Sequence, residues 1–236
     1  MTERYYTPNP ITVGRHRLSG PEAHHLSAVM RAEAGQEITL FDGTGVECTA
    51  SIVKIGKRDV ELEILERAEV SREPTIHLTL AVALPKGDRQ KWLVEKAVEL
   101  GVAKLVPLVC QRSVAKAKES SIERLQRNVI EASKQCGRNL LMSIAKSKSF
   151  EECLPSFRDD TMRLIAHPPL NAAGNTPDER LPEHSNVVAL IGPEGGFTDD
   201  EVETALAEGW QPISLGRRIL RTETAALKIA ASILRD

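Results

Sequence analysis

Residues 187–234 constrain this chain more than any other stretch, because they set two strand ends in quick succession and follow each with a glycine loop. The apolar run VVALI, residues 187–191, predicts a buried strand that breaks at Gly192-Pro193. Gly195 and Gly196 then leave a backbone with no side chains in the way, so a ligand can come close to main-chain groups. Thr198 is placed to cap the next helix, with Glu201 three residues on completing a capping box. Residues 212–215 predict a second short strand, ending at Gly216. The basic run Arg217, Arg218 and Arg221 leads into a last helix that Thr222 or Thr224 would cap, with Ala226, Ile229, Ala230 and Ile233 as its apolar face. In open α/β sheets ligands bind outside the carboxyl ends of the strands, so both loops are expected at one ligand-binding edge.

Upstream of this stretch the hydrophobic periodicity changes once. Residues 1–72 read as a small β-rich unit with one helix. There PEAHHLSAVMR puts Pro21 at a helix start with Ala23, Leu26 and Met30 near one face, and EITLF, VECTASIVKI and DVELEIL read as short strands around the turn FDGTG. Short strands with tight turns point to a small barrel. After the polar linker Ser71-Arg72-Glu73-Pro74, residues 73–236 alternate strand and helix. IHLTLAVAL is almost continuously apolar, as a strand covered on both faces of a parallel sheet must be. The helix DRQKWLVEKAVEL carries Leu93, Ala97 and Leu100 on one face, ends at Gly101 and feeds the strand AKLVPLV. A second helix over residues 121–136 turns Ile122, Leu125, Val129 and Ala132 inward; MRLIA is another strand, and residues 167–186 form a long Pro/Asn/Gly-rich loop. With 41% hydrophobic residues in 236, the chain has enough apolar material for one large or two small cores.

The formal net charge of −2 conceals a polarised distribution. Residues 84–148 hold 14 Lys+Arg against 6 Asp+Glu, or 14 − 6 = +8, while residues 150–236 hold 8 against 15, or −7. A local basic excess of this size is the footprint of a polyanion binder, set against the alternative that these are solvated helix-face charges. Two Trp, two Tyr and four Phe are too few for a base-stacking sheet. Cys48, Cys110, Cys136 and Cys153 form no CxxC pair, so neither a zinc site nor a disulfide framework is indicated, and no metal is expected. No apolar run approaches the length of a membrane span and the first residues lack an apolar signal region, so the expected location is the cytoplasm. The glycine loops match neither G-x-G-x-x-G nor G-x-x-x-x-G-K-[ST], which disfavours a dinucleotide fold and a P-loop ATPase.

LIGPEGGF, followed by SLGRRILRTETAA, resembles the last two motifs of the SPOUT-superfamily RNA methyltransferases, in the form carried by the ribosomal small-subunit RNA uridine-N3 methyltransferase family (RsmE type). HHLSAVMR, FDGTG, KGDRQKWLVEKAVELGV and EASKQCGR match as well, so the resemblance covers nearly the whole chain, with RILRTETA its most specific element. One departure is local: family members often have a proline shortly after EASKQCGR, where this chain has NLLMSI.

The resemblance implies a PUA-like β-barrel over residues 1–72 and an α/β methyltransferase domain over residues 73–236, with a deep trefoil knot near residues 187–234. It further implies a homodimer that binds S-adenosyl-L-methionine in the knot and methylates N3 of a uridine in 16S ribosomal RNA of the small subunit. Carried onto this sequence, the cofactor contacts are Leu190, Ile191, Gly192, Pro193, Glu194, Gly195 and Gly196 in the first loop, and Ser214, Leu215, Gly216, Ile219, Leu220, Thr222 and Thr224 in the second. Glu194 or Glu223 would face the cationic sulfonium, unless either is structural, for instance paired with Arg221. Methylation at N3 requires loss of the imino proton. Arg221 suits stabilisation of the resulting anion, with Glu223 as general base or with no base at all. Phosphate contacts are expected from Arg4, Arg31, Lys86, Arg89, Arg112, Lys116, Arg138, Arg217 and Arg218. His24 and His25 read as satisfied residues of the barrel unit, His167 as a neighbour of the site, and Trp92 and Trp210 as core or dimer-interface residues. Two rival readings are a ribose 2′-O-methyltransferase, which usually carries Ser-Leu-Asn where this chain has Ser214-Leu215-Gly216, and an RNA-binding module or assembly factor that has lost catalysis.

Overall fold

The computed structural model describes residues 3–113, 119–157, 160–167 and 186–234; Lys116 and most of the long loop before residue 187 lie outside the described residues. The chain divides into two compact units, Met1–Glu73 with Ser133–Leu141, and Pro74–Ala132 with Met142–Asp236.

The first unit is a five-stranded sheet of β1 (Arg4–Tyr6), β2 (Gly14–Ser19), β3 (Glu37–Phe41), β4 (Val46–Ile55) and β5 (Asp59–Glu69), in the order β1-β3-β4-β5-β2. It curls as a half-barrel because β4 and β5 are long and their pairing shifts register twice, at Thr49/Ala50 and at Ile52/Lys54. Alternation along β4 sends Val46, Cys48, Ala50 and Ile52 into a core with Tyr5, Leu18, Leu40 and Leu62. α1 (Gly20–His24) carries Pro21 in its first turn and then widens into a π-helical turn, His25–Val29, closed by Met30 N donating to His25 O at 3.0 Å. The wider turn changes the expected apolar face. Ala23 and Leu26 are buried at 2% and 1% exposure, but Met30 swings out to 42%.

The second unit holds β6 (His77–Val82), α2 (Arg89–Glu99), β7 (Lys104–Val109), α3 (Glu119–Cys136), β8 (Ser143–Ile144) and β9 (Lys148–Ser149). It continues through α4 (Phe150–Cys153), β10 (Met162–Ala166), β11 (Asn186–Ile191), α5 (Asp199–Ala207), β12 (Gln211–Ile213) and α6 (Thr222–Ile233). Its sheet runs β12-β10-β11-β6-β7-β8, with β9 also on β7, and every pairing is parallel. β11 lies between β10 and β6 with its apolar residues 2% exposed or less, which is why that run shows no polar alternation. Each Val, Leu and Ile among them contributes about 1.5–3 kcal/mol by leaving water. Trp210 is buried at 2% exposure with Phe157 edge-on to it, whereas Trp92 is 45% exposed. The last turn of α3 and the residues after it belong to the first unit, a division that the continuous 3.6-residue periodicity of residues 121–136 does not announce.

Candidate active site

Two strand ends build the site. β11 stops at Ile191 and Gly192 turns the chain so tightly that a Cβ there would stand 3.2 Å from both the ring and the backbone nitrogen of Phe197. Gly196, at φ 69°, donates its N–H to Pro193 O at 2.8 Å and completes the turn. The expected capping box then starts α5: Thr198 Oγ1 accepts from Glu201 N at 3.2 Å, and Glu201 Oε2 accepts from Thr198 N at 2.8 Å. The other oxygen, Glu201 Oε1, accepts from Gln111 N at 2.8 Å. Beside it Arg112 Nη1 donates to Gly195 O at 2.9 Å and to Phe197 O at 3.1 Å, so the loop after β7 grips the glycine loop.

The loop after β12 is held by its own set of bonds. Ser214 Oγ accepts from Gly216 N at 3.3 Å, and Lys228 Nζ of α6 donates to Leu215 O at 2.8 Å. Gly216 at φ 100° makes this turn possible. No side chain caps α6. Its N-cap is Arg221, Thr224 is exposed, and Thr222 spends its hydroxyl on Gly192 O at 3.1 Å, which corrects the expectation that one of these threonines is the cap and ties the two loops together.

These loops enclose a cavity of about 590 Å³, a size suited to a cofactor. Ile191, Gly192, Pro193, Glu194, Gly195, Gly196, Leu215, Gly216, Ile219 and Leu220 all line it, as do Arg112, Arg217, Arg218 and His167. Four of the expected cofactor contacts are elsewhere. Leu190 is fully buried, because it packs in the core cluster with Val188, Phe197 and Val202; Ser214 and Thr222 act as anchors; and Thr224 is on the surface. Ala166, Phe197, Asp199 and Ala225 line the cavity without having been expected. Phe197 and Asp199 were detectable as residues just after GPEGG, whereas Ala166 follows from the sheet order and Ala225 from the first turn of α6. Ile219 is 96% exposed at the rim.

The charged residues divide in a way that the sequence does not show. Glu223, expected as a base, is 5% exposed and outside the cavity lining; its partner is Arg89 at 3.6 Å and not Arg221. Arg89 also pairs with Glu194 at 2.9 Å, which engages a residue expected to contact phosphate. Arg138 is 4% exposed and forks on Glu73 at 2.9 and 2.6 Å, and Arg4 reaches Glu47 at 2.7 Å and Asn139. Neither guanidinium is presented to an outside phosphate, because an internal carboxylate already holds it. Arg31, Lys86, Arg217, Arg218 and Arg221 are exposed. Burial pushes the thiols of Cys110 and Cys153 up to about 12 and about 11, so both are neutral at pH 7, as expected for small core residues. Among the described residues no group of His, Cys, Asp and Glu is arranged to hold a metal, and no helix is long and apolar enough to cross a membrane.

A family model described as an RNA methyltransferase domain matches residues 71–234, a span that contains every residue of the cavity lining. The chain belongs to the RNA methyltransferase family. A second model, the RNA methyltransferase PUA domain, matches residues 18–65, the greater part of the half-barrel. This RNA methyltransferase is 32% identical over 230 residues to the ribosomal RNA small subunit methyltransferase E of Synechocystis, covering 96% of this chain and 75% of the relative. Among solved structures it resembles a ribosomal RNA small subunit methyltransferase E of Neisseria gonorrhoeae bound to S-adenosyl methionine, at 34% identity and a TM-score of 0.89, covering 98% of this chain and 96% of that one. A methyltransferase of Legionella pneumophila with bound SAM matches with the same identity, TM-score and coverage. The parallel-sheet α/β domain preceded by a PUA-like unit is thus the architecture of this RNA methyltransferase.

Proposed function

We propose that this protein transfers a methyl group from S-adenosyl-L-methionine to N3 of a uridine in 16S ribosomal RNA of the small subunit. The observation that carries the reading is that both glycine loops meet at one cavity inside the RNA methyltransferase domain. S-adenosyl-L-methionine, when bound, supplies a methyl group activated by its sulfonium. The residues present suit such a group: Gly192 to Gly196 and Leu215 to Leu220 offer open main chain between Ile191, Leu215 and Leu220, and a Cβ at Gly192 would crowd Phe197. Glu194 supplies a carboxylate at the lining for a cationic ligand.

On the RNA side, the uridine must lose its imino proton, and the resulting charge spreads onto O2 and O4. Arg221 follows Leu220 of the lining without itself lining the cavity; it is exposed, has no hydrogen-bonded or ion-paired side-chain partner among the described residues, and serves as the cation that stabilises this anion. Glu223 is enclosed and paired with Arg89, which favours the base-free route over Glu223 as proton acceptor. Arg31, Lys86, Arg217 and Arg218 supply phosphate contacts. A knotted path over residues 187–234, a homodimer and a cytoplasmic location complete the reading. The Thr222–Gly192 bond ties the segment after β12 to the loop after β11.

The decisive experiment maps modified nucleosides in ribosomal RNA from cells with and without the protein. Loss of one N3-methyluridine is the expected result. Loss of a 2′-O-methylated nucleoside instead would favour the ribose rival, and unchanged RNA together with no calorimetric binding of S-adenosyl-L-methionine would favour a non-catalytic RNA-binding module.

A further inference from the structure

Arg89 opens α2 with its guanidinium set between two carboxylates of different standing. Nη2 lies 2.9 Å from Glu194 Oε1, on the glycine loop that lines the cavity, and Nη1 lies 3.6 Å from Glu223 Oε2, in the first turn of α6. The Glu223 side chain is 7% exposed and its Oε2 has no hydrogen-bond partner among the described residues, so the guanidinium offsets a desolvated negative charge. One cation thus fastens the loop after β11 to the start of α6. The Thr222 hydroxyl makes the second link between the same two segments, through Gly192 O.

We infer that Arg89 is a positioning residue for the cofactor cavity: by bridging Glu194 and Glu223 it fixes the spacing of the two loops, and it does not contact RNA phosphate. The inference rests on the proposed cofactor but concerns only this chain's own residues. Arg89 is the cation paired with Glu194, which is thereby held in place at the cavity. A phosphate drawn to Arg89 would compete with the Glu194 carboxylate at hydrogen-bond distance and weaken the offset of the buried Glu223 charge.

The test uses the full chain and three readouts: calorimetric Kd for S-adenosyl-L-methionine, affinity for a uridine-rich RNA oligonucleotide across a salt series, and steady-state kinetics. Arg89→Met is expected to raise the cofactor Kd about 10-fold, as loss of a charge-assisted bridge does, with KM for the cofactor changing more than kcat. The salt slope of RNA binding stays as in the wild type, Arg89→Lys recovers part of the loss, and Glu194→Gln weakens cofactor binding but adds little in the Arg89→Met background. An unchanged cofactor Kd with a salt slope shallower by about one would overturn the inference and make Arg89 a phosphate contact. If Arg89→Met does not fold, Arg89→Lys, which leaves a charge beside Glu223, decides: a raised cofactor Kd at the wild-type salt slope upholds the inference, and a wild-type Kd overturns it. Failure of the wild type to bind the cofactor at all would reject the proposed function first, and this inference with it.

Discussion

Glu47 in the first unit accepts from Arg4 at 2.7 Å and from Arg72 at 2.9 Å, while Glu22 holds Lys134 at 2.9 Å and Glu73 holds Arg138. At the cavity of the second unit, Arg217 and Arg218 stand exposed with no ion-pair partner among the described residues. The same residue type is therefore internal glue at Glu47 and Glu73, as Arg89 is at Glu194, and an offered charge at Arg217 and Arg218. What separates the two is whether the fold sets a carboxylate opposite. A count of charges along the chain treats both alike, so the +8 over residues 84–148 includes Lys134 and Arg138, which the first unit consumes. Basic residues mark an RNA-binding surface only after the paired ones have been subtracted.

The comparison breaks most visibly at Arg221. Arg221→Ala is expected to lower methylation by about 10²–10³-fold, the scale for removing one group that stabilises developing negative charge, with the cofactor Kd unchanged within about two-fold. Wild-type turnover in that variant, measured with cofactor binding intact, would remove Arg221 from the reaction.

At Glu47 the expected effect is on stability. Glu47→Ala strands two guanidinium groups and should cost the first unit about 2–3 kcal/mol in denaturant unfolding, with no change in cofactor affinity. Burial alone would raise the Glu47 carboxyl, but the bonds from Arg72 and Arg4 outweigh it and bring it from 4.5 down to about 2. A carboxyl lowered on folding stabilises above its unfolded value, so this contribution is intact above pH 4.5 and fades as pH falls towards 2. Glu47→Gln should flatten that part of the acid-unfolding curve.

The smallest effect is expected at Arg217. Arg217→Ala should weaken RNA binding uniformly across sequences and make its salt dependence shallower by about one unit of slope. An Arg138→Ala variant whose RNA salt slope fell equally would erase the distinction between consumed and offered cations.

Much of this organisation is legible in residue pattern alone. EITLF and VECTASIVKI coincide with β3 and β4 because one face of each is buried and alternation records it. The two glycine loops were visible because tight turns and close backbone approach admit few other residues. β1 and β2 left too weak a signal: RYY spans three residues, and GRHRLS buries only His16 and Leu18. At the site, the bridge from Arg89 to Glu194 and Glu223 joins residues far apart in sequence, and no local spacing encodes it. Glu223 looked like a base because it follows Arg221 and Thr222 in the motif; helix geometry turned it inward.

The segment Ser133–Leu141, which completes the first unit, has a consequence for how the molecule is made. Arg138 meets Glu73 from 65 positions along the chain, Asn139 Nδ2 donates to Val70 O from 69, and Arg4 reaches Asn139 from 135. During synthesis the half-barrel leaves the ribosome with Arg4, Val70 and Glu73 still lacking these partners, and it closes only after the strand-helix-strand segment β6-α2-β7 and helix α3 have followed. The first unit is therefore completed by a segment of its own that is translated only after residues 74–132, and a fragment cut at the linker would carry the sheet without its clasp.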